Sequence, residues 1–566
     1  MKGHEKDTNA TSPARPCGGP VLNPPPLTAL PPFLRPPACS RQQKQRKLIF
    51  QNPAVNVNDR ELVMKALMTY DALRRHFEQE GSCYRRPDLH AGFIMKNKGL
   101  SLNRDRKIIG SVPGIHVGDM FYFRMELSVI GLHAPSQAGV DFISAADTLC
   151  NETLAISIVA SDCYEDNHDS GDVLIYSGQG GKPHYSSKQH FSDQKLQAGN
   201  FALERSRHYG VEIRVIRGMQ DPRSVAYSRK IYVYDGLYKI EESWLDKGIS
   251  GFGVFKYKLR RIPGQPDMGS EIMRKAAQWK LKPTSRPGFI ESAWKSENLG
   301  HGVVNEVDNK KGFPAFHYIK KVRYPTSLVL KSLQGCECVG GCDSTRSCMC
   351  SCIQRNGGQV PYNAYGILIE RKPLIYECGD HCRCPPSCQN RVTEKGLNSV
   401  QLEVFKTNGA QHGYKANGWS VRSLDSIAAG SFICEYTGEV VSLEGLDTNQ
   451  KLNMNEEYMF YPMQKQWTEW GNVFHILCQQ QQQQVETSSS SSTHSRQVLQ
   501  SPTAAFLIDA RKMGNISRFM GRNSFPNANV FMQFVLHDHD HIGFPHVMFF
   551  AMYNIPPLTE LVLDSY

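Results

Sequence analysis

Cys336-x-Cys338-x3-Cys342-x5-Cys348-x-Cys350 and, after a gap, Cys378-x3-Cys382-x-Cys384-x3-Cys388 form the stretch that decides how this chain is read. Ten of its seventeen cysteines lie between Cys336 and Cys388, Cys352 among them. Thiolates one to five residues apart can share a small metal ion without a folded core behind them, and tetrahedral zinc prefers sulfur ligands. No histidine is regularly spaced among them, which argues against a finger that pairs cysteine with histidine. Three four-coordinate zinc ions have twelve ligand positions, and nine sulfurs fill them when six bind singly and three bridge. With Cys352 set aside, those nine are Cys336, Cys338, Cys342, Cys348, Cys350, Cys378, Cys382, Cys384 and Cys388. A disulfide framework is the competing reading, because ten cysteines also make five bridges. The opening MKGHEKDTNA has no apolar signal segment and the other seven cysteines are scattered, so the expectation is zinc and reduced thiols, in cytosol or nucleus.

A chain of 566 residues exceeds what one core supports, and two to four domains are expected. No apolar run approaches the roughly 20 residues of a membrane helix, so no membrane partner is expected. The net charge of +11 suits an acidic partner such as nucleic acid or chromatin, and equally suits plain solubility.

Outward from the cysteines, residues 1–48 hold ten prolines and eight Lys/Arg against two acids, the composition of a disordered basic tail. Its end, Arg41-Gln-Gln-Lys44-Gln-Arg46-Lys47, reads as a nuclear import signal or as a solvated charge run. Residues 49–100 read as a helical support: Asn58 and Glu61 form a cap, Leu62, Ala66, Leu67, Tyr70, Leu73 and Phe77 recur at helical spacing, and Gly81 ends the run. From 101 to 266 the texture is short β-type runs with glycine turns: Phe121–Val129, Asp172–Tyr176, Val211–Ile216 and Lys230–Tyr234. A curved or barrel-like sheet is expected there. Residues 267–335 read as a connector without chemistry, wedged between the β domain and the cysteines at 336–392.

Four motifs in the β region carry a resemblance: Val112-Pro-Gly-Ile-His-Val-Gly-Asp119, Gly131-Leu-His-Ala-Pro-Ser-Gln137, Tyr176-Ser-Gly-Gln-Gly-Gly181 and Tyr234-Asp-Gly-Leu-Tyr238. They are similar to the SRA (YDG) domain, which flips methylated cytosine out of duplex DNA. Residues 336–388 resemble a pre-SET zinc cluster, and Phe432-Ile-Cys-Glu-Tyr-Thr-Gly-Glu439 resembles the start of a SET domain spanning 393–566. The order SRA, pre-SET, SET is that of the plant SUVH-type histone-lysine methyltransferases, and the likeness runs from about residue 50 to 566. It implies a mostly β, multidomain protein: barrel-like SRA domain, cysteine-rich zinc cluster, knotted β SET domain and a small helical support.

A flipped base needs aromatic faces and an acceptor for its exocyclic amine. The resemblance places these at Tyr164 and Tyr176, with Asp166 as acceptor and Gln137 on the loop that fills the vacated stack. Taken singly, either tyrosine reads as β-domain core. Asp162 and Cys163 stand where the family has two glycines, and lose the close backbone approach that glycine permits.

For the SET domain the resemblance implies S-adenosylmethionine as cofactor and an in-line methyl transfer to a neutral lysine amine, whose ordinary pKa is ~10.4. The cofactor loop is Gly418-Trp419-Ser420, its last glycine lost, and the acidic-x-Tyr segment is Glu456-Glu457-Tyr458. The threaded segment is Arg518-Phe519-Met520-Gly521-Arg522-Asn523-Ser524-Phe525-Pro526-Asn527, where the family's Asn-His pair has become Gly521-Arg522 and its zinc-ligating cysteine Ser524. Serine is a poor replacement for a thiolate on zinc. In Glu560-Leu-Val-Leu-Asp-Ser565-Tyr566 the catalytic tyrosine position is Ser565 and the channel aromatic is Leu563, leaving Tyr458 and Tyr566 as catalytic candidates. No Cys-x-Cys-x4-Cys of the post-SET kind follows. A low-complexity insertion at about 478–502 holds six glutamines (479–484) and five serines (488–492), a length that loop closure tolerates.

Two functions follow from the resemblance. One is a nuclear, heterochromatin-associated methyltransferase of histone H3 lysine 9, recruited by methylated DNA, with nucleosomes and the H3 tail as partners. The other is a reader whose SET domain is a catalytically impaired scaffold.

Overall fold

The computed structural model describes residues 58–79, 86–104, 106–161, 168–181, 190–226, 228–290, 302–308, 312–342, 350–396, 400–407, 418–443, 458–462 and 506–564. The tail, Gly81 and the Gln/Ser insertion lie outside them. Among them no helix is long and apolar enough to cross a membrane.

Helix α1 (Asp59–Gln79) buries Ala66, Tyr70, Leu73 and Phe77 of the expected stripe; Leu62 is left exposed while Val63 and Met64 turn inward. Helix α2 (Pro87–Asn97) closes on it, with His90 edge-on to Phe77 at 4.5 Å. One end of α1 is clasped to the β domain by the Arg60 guanidinium, which donates to both Asp119 oxygens at 2.6 and 3.0 Å. The other end reaches past it: Arg75 donates to the Leu368 carbonyl, and Gln79 Nε2 to the Val360 carbonyl at 3.1 Å. The support helix is therefore a brace across domains.

The β domain runs β1 (Met120–Phe121), α3 (Arg124–Val129), β2 (Val140–Ile143), β3 (Leu154–Ala160), β4 (His168–Asp169), β5 (Val173–Ser177), α4 (Gly199–Tyr209), β6 (Glu212–Gln220), β7 (Lys230–Lys247), β8 (Gly253–Arg261) and α5 (Gly269–Leu281). Its 8-stranded sheet has the order β2-β3-β6-β7-β8-β5-β4, with β1 on β7. Leu154, Ile158, Val215, Tyr238, Tyr257 and Leu259 form the core inside its curve. The strand expected over Phe121–Val129 is corrected: only its first residue pairs, and Arg124–Val129 is helical. The Glu126 carboxylate accepts the N–H groups of Tyr122 and Phe123 at 2.7 and 2.8 Å, closing a first turn that apolar content alone does not reveal.

Beyond α5 come β9 (Phe289–Ile290), β10 (Gly302–Val304), β11 (His317–Tyr318), the cysteine-bearing α6 (Ser351–Arg355) and β12 (Ile375–Tyr376). The last region holds β13 (Leu402–Lys406), β14 (Trp419–Ser423), β15 (Phe432–Glu435), β16 (Glu439–Ser442), β17 (Met459–Phe460), β18 (Phe506–Asp509), β19 (Met513–Gly514), β20 (Gly521–Asn523), β21 (Val530–Leu536), β22 (His546–Ala551) and β23 (Val562–Asp564). It is built from small sheets, β14-β13-β10-β9, β15-β22-β21-β23-β20 and β16-β18-β17, around Val404, Val421, Ile433, Phe519, Phe534 and Phe549. The architecture is mostly β, as the sequence implies.

Candidate functional site

In the cysteine region, nine sulfurs are described, all as unpaired thiols and all but Cys338 buried. Their Sγ atoms approach to 3.5 Å (Cys336 to Cys342), 3.4 Å (Cys350 to Cys342), 3.7 Å (Cys342 to Cys378) and 3.8 Å (Cys352 to Cys382). A disulfide would hold them at about 2.05 Å. Sulfurs bound tetrahedrally at about 2.3 Å to one zinc stand about 3.8 Å apart, which is the spacing seen here. Three overlapping quartets gather within 4.8 Å: Cys336, Cys338, Cys342 and Cys350; Cys336, Cys352, Cys378 and Cys382; Cys336, Cys342, Cys378 and Cys384. Cys388 joins them, its sulfur accepting the Cys342 N–H at 3.3 Å.

Setting Cys352 aside is corrected by this geometry. Cys352 lies in the first turn of α6, fully buried, and that turn carries its sulfur onto the second burst. Cys348 lies outside the described residues. The nine described sulfurs are thus Cys352 and the expected set without Cys348.

In the β domain, the loop carrying Gln137 is fixed from beneath. His133 bridges the Ser157 hydroxyl and the Ala138 carbonyl at 2.8 and 2.9 Å, and Asp141 accepts the Ala134 N–H at 2.9 Å. Arg124 donates to the Pro135 and Ala138 carbonyls at 3.0 and 2.5 Å, and Gln137 is left exposed above these bonds. Burial drives the His133 pKa down to about 3, so the ring is neutral and serves as a spacer. Tyr176, on β5, is buried in the core with its hydroxyl against Gly139 of the same loop; a Cβ at Gly139 would stand 2.7 Å from that oxygen. Tyr164, Asp166, Asp162 and Cys163 lie outside the described residues.

Behind β4 and β5 is an ion network that the sequence did not disclose. The Arg217 guanidinium donates to Asp169 Oδ2 and Oδ1 at 2.6 and 2.8 Å, to Asp235 Oδ2 at 2.6 Å and to the Gly171 carbonyl at 2.7 Å. Asp235 belongs to the Tyr-Asp-Gly motif, the only hint of this role in the sequence.

In the last region, four of the residues expected to hold the cofactor, Gly418, Trp419, Tyr458 and Arg518, lie about one group of aromatic rings. Gly418 takes φ +63°, a conformation that suits glycine, and its carbonyl accepts the Thr407 N–H at 2.6 Å, turning the chain into β14. Trp419 then meets Phe313 edge-on at 5.1 Å, and Phe313 lies 5.3 Å from Phe519. Tyr458 lies 5.9 Å from Phe519, and the Arg518 guanidinium covers the Tyr458 face at 3.9 Å and the Phe316 face at 4.3 Å. Tyr458 itself has φ +69°, strained for a side-chain-bearing residue, with its carbonyl held by the Tyr436 hydroxyl at 3.0 Å. Phe313 and Phe316 come from the connector read as lacking chemistry; no pattern around Gly312-Phe-Pro-Ala-Phe316 announces that they complete an aromatic wall.

Gly521, Arg522 and Leu563, which the resemblance marks as departures, are neighbours. β20 and β23 pair in parallel with Gly521 opposite Val562 and Arg522 opposite Leu563. Arg522 donates to the Met459 carbonyl at 3.0 Å and lies 5.0 Å from the Phe460 ring, while Leu563 is buried. Ser420 is buried with its hydroxyl on Glu560 Oε1 at 2.5 Å; a Cβ on Gly521 would lie 3.1 Å from that oxygen. Glu456, Ser565 and Tyr566 lie outside the described residues.

A further cluster sits between β21 and β22. His546 Nδ1 meets Glu435 Oε1 at 2.7 Å and Nε2 meets Asp538 Oδ1 at 2.8 Å, with the His537 ring stacked on it at 4.2 Å. Burial alone would lower the His546 pKa, but the two carboxylates outweigh it and raise it to about 10, while burial and the neighbouring imidazolium push His537 well below the usual value. With both nitrogens taken by carboxylates, His546 acts as an ion clamp.

One chain thus carries an 8-stranded curved sheet, a polythiol cluster and a domain of small sheets, the three-part order that the sequence resemblance implies. Family models agree: a SAD/SRA domain at 108–265, a pre-SET motif at 294–391 and a SET domain at 418–564. The chain is 40% identical over 525 residues to Arabidopsis thaliana histone-lysine N-methyltransferase family member SUVH9, covering 89% of this chain and 76% of that protein. It is 41% identical over 518 residues to the Nicotiana tabacum H3 lysine-9 specific enzyme SUVH1, covering 89% and 67%. Among solved structures, SUVH9 superposes with TM-score 0.73 at 38% identity, covering 90% of this chain and 98% of that one. KRYPTONITE in complex with mCHH DNA, an H3(1-15) peptide and SAH gives 0.67 at 34%, covering 89% and 93%. The chain belongs to the SUVH histone-lysine methyltransferase family.

Proposed function

We propose that this chain is a chromatin-associated, S-adenosylmethionine-dependent histone H3 lysine 9 methyltransferase directed to its substrate by methylated DNA. It would act on nucleosomes in nuclear heterochromatin, with the H3 tail as methyl acceptor. The observation that carries the reading is the convergence of Gly418, Trp419, Tyr458 and Arg518, from three separate segments, on one aromatic wall. That wall fits the cofactor: aromatic faces suit a sulfonium and an adenine ring, and a guanidinium suits a carboxylate. When bound, the cofactor supplies an activated methyl group. Trp419, Tyr458 and Arg518 would hold it, and Glu456 and Tyr566 are assigned by their place in the motifs alone. The wall also excludes water from the lysine amine, which must be neutral to attack and titrates at ~10.4 in water. The nine thiolates fit three zinc ions in the pre-SET cluster, which fixes the segment between the two functional domains. Gln137 and Tyr176, with Tyr164 and Asp166, would take the flipped methylcytosine.

The alternative, a methyl-DNA reader with an impaired SET domain, is favoured by one observation: Arg522 and Leu563 replace the Asn-His clasp and the channel aromatic at facing register positions. Removing groups that act only in the transition state lowers turnover without unfolding the domain. Labelled S-adenosylmethionine with an H3 peptide separates the two. Incorporation that depends on Tyr458 supports the enzyme, and bound cofactor without incorporation supports the reader.

A further inference from the structure

Helix α5 touches both functional domains with charged residues at each end. At its start the Ser270 N–H donates to Asp235 Oδ1 at 2.9 Å, a carboxylate on a helix N-terminus where it is favoured. The other Asp235 oxygen is held by Arg217, which holds Asp169 of the β4–β5 hairpin. The turn of that hairpin sits on the helix: a Cβ at Gly171 would meet Glu271 Oε1 at 3.0 Å and Met268 Cε at 3.2 Å. Tyr176 is on the same hairpin.

At the far end of α5, Lys280 donates to Asp425 Oδ1, in the turn that follows β14. Asp425 is buried; its other oxygen accepts the Gln401 N–H at 2.8 Å, and Arg223 of the β domain joins it at 3.1 Å. One residue earlier on the helix, Trp279 lies 3.9 Å from the Arg286 guanidinium. Arg286 pairs with Glu403 of β13 at 2.6 Å, and Glu403 accepts from Arg422 of β14, also at 2.6 Å. The strand so held is the one that carries Trp419 and Ser420.

Between its ends α5 borders a cleft open to solvent: Gly269, Ile272, Lys275 and Trp279 line about 460 Å³, with Met64 and Tyr553 across it. Close-packed interfaces resist displacement, and a helix with an open cleft along one side can shift as a body.

We propose that α5 is a coupling strut: occupation of the base-reading hairpin moves or stiffens the helix through Asp235, and Lys280 passes this to the β13–β14 hairpin through Asp425. Lys280 is then a positioning residue for the cofactor strand, 104 residues from Tyr176 in sequence. The inference rests on the base-reading assignment above.

The test is amide hydrogen exchange on the full chain with and without a methylated duplex, preceded by an affinity measurement. In the wild type, duplex should slow exchange across 402–406 and 419–425 by about fivefold, the low end of ordinary coupling. In Lys280→Met the duplex should bind as before while that slowing is lost, and Lys280→Arg should restore it. Unchanged exchange in the wild type, or slowing that persists in Lys280→Met, overturns the strut. Weakened duplex binding in Lys280→Met also overturns it, because the lysine would then serve DNA directly. A wild type with no preference for the methylated duplex defeats the base-reading itself, and the affinity measurement shows this before any exchange is read.

Discussion

Arg217 and Arg522 are both arginines set against strands that the family's chemistry uses, and their circumstances are opposite. Arg217 is buried, with two carboxylates and a carbonyl around its guanidinium, and it ties the hairpin of Tyr176 to the Tyr-Asp-Gly strand. Arg522 is exposed, donating to the Met459 carbonyl beside the Phe460 ring and the Tyr436 hydroxyl, and it stands opposite Leu563 in the β20–β23 pairing. The β domain is braced by groups that cannot be exchanged singly without leaving a buried charge. In the SET domain Gly418, Trp419 and Arg518 belong to one aromatic wall, and Arg522 and Leu563 face each other on the neighbouring β20–β23 pair.

The largest effect should come from the element between those two domains. Cys352→Ser should lose as much zinc as Cys382→Ser, with a metal-to-protein ratio below three by elemental analysis and loss of the cooperative melt, because metal affinity here is folding energy. A Cys352→Ser protein that keeps full zinc would restore the set-aside reading. Next, Arg217→Met should cost about 3–5 kcal/mol in denaturant unfolding, since it strands Asp169 and Asp235; a loss below about 1 kcal/mol would remove the contrast between the two arginines.

His546→Gln should cost about 3 kcal/mol, discounted because Asp538 is half exposed, and the cost should depend on pH. The folded pKa is raised to about 10 against ~6.5 unfolded, so the clamp contributes fully below pH ~6.5 and its contribution drains as the pH rises, vanishing above about 10. Unfolding of wild type and variant at pH 6 and pH 9.5 checks this: the difference should be larger at pH 6. Restoring the clasp with Gly521→Asn and Arg522→His should raise methyl incorporation into an H3 peptide by about tenfold or more, ~1.4 kcal/mol of barrier. No gain would mean the facing Leu563, or residues past 564, limit the site. Smallest, Gln137→Ala should leave stability within about 0.5 kcal/mol and weaken methylated-duplex binding several-fold.

The parts legible in the sequence were those written as local spacing. Cysteines one to five residues apart identify a metal cluster whatever the fold, and Gly-rich turns such as Tyr176–Gly181 mark the β domain because glycine is demanded there by the backbone. Pairings across the chain were not legible. Cys352 looked surplus because ligand arithmetic cannot see which sulfur a helical turn delivers. Arg124–Val129 looked like a strand because Glu126, the residue that starts the helix, bonds to backbone N–H groups and leaves no periodicity. Phe313 and Phe316 were invisible as site residues, since their role exists only where Trp419 and Phe519 fold against them.

Both accounts of the SET domain presuppose that the β domain reads modified cytosine, and affinity for paired duplexes tests that most directly. Titration of the full chain with duplexes that differ only in cytosine methylation should show tighter binding to the methylated one by about tenfold or more, ~1.4 kcal/mol. Equal affinity for the two would contradict the account, whatever the SET domain then proved able to do.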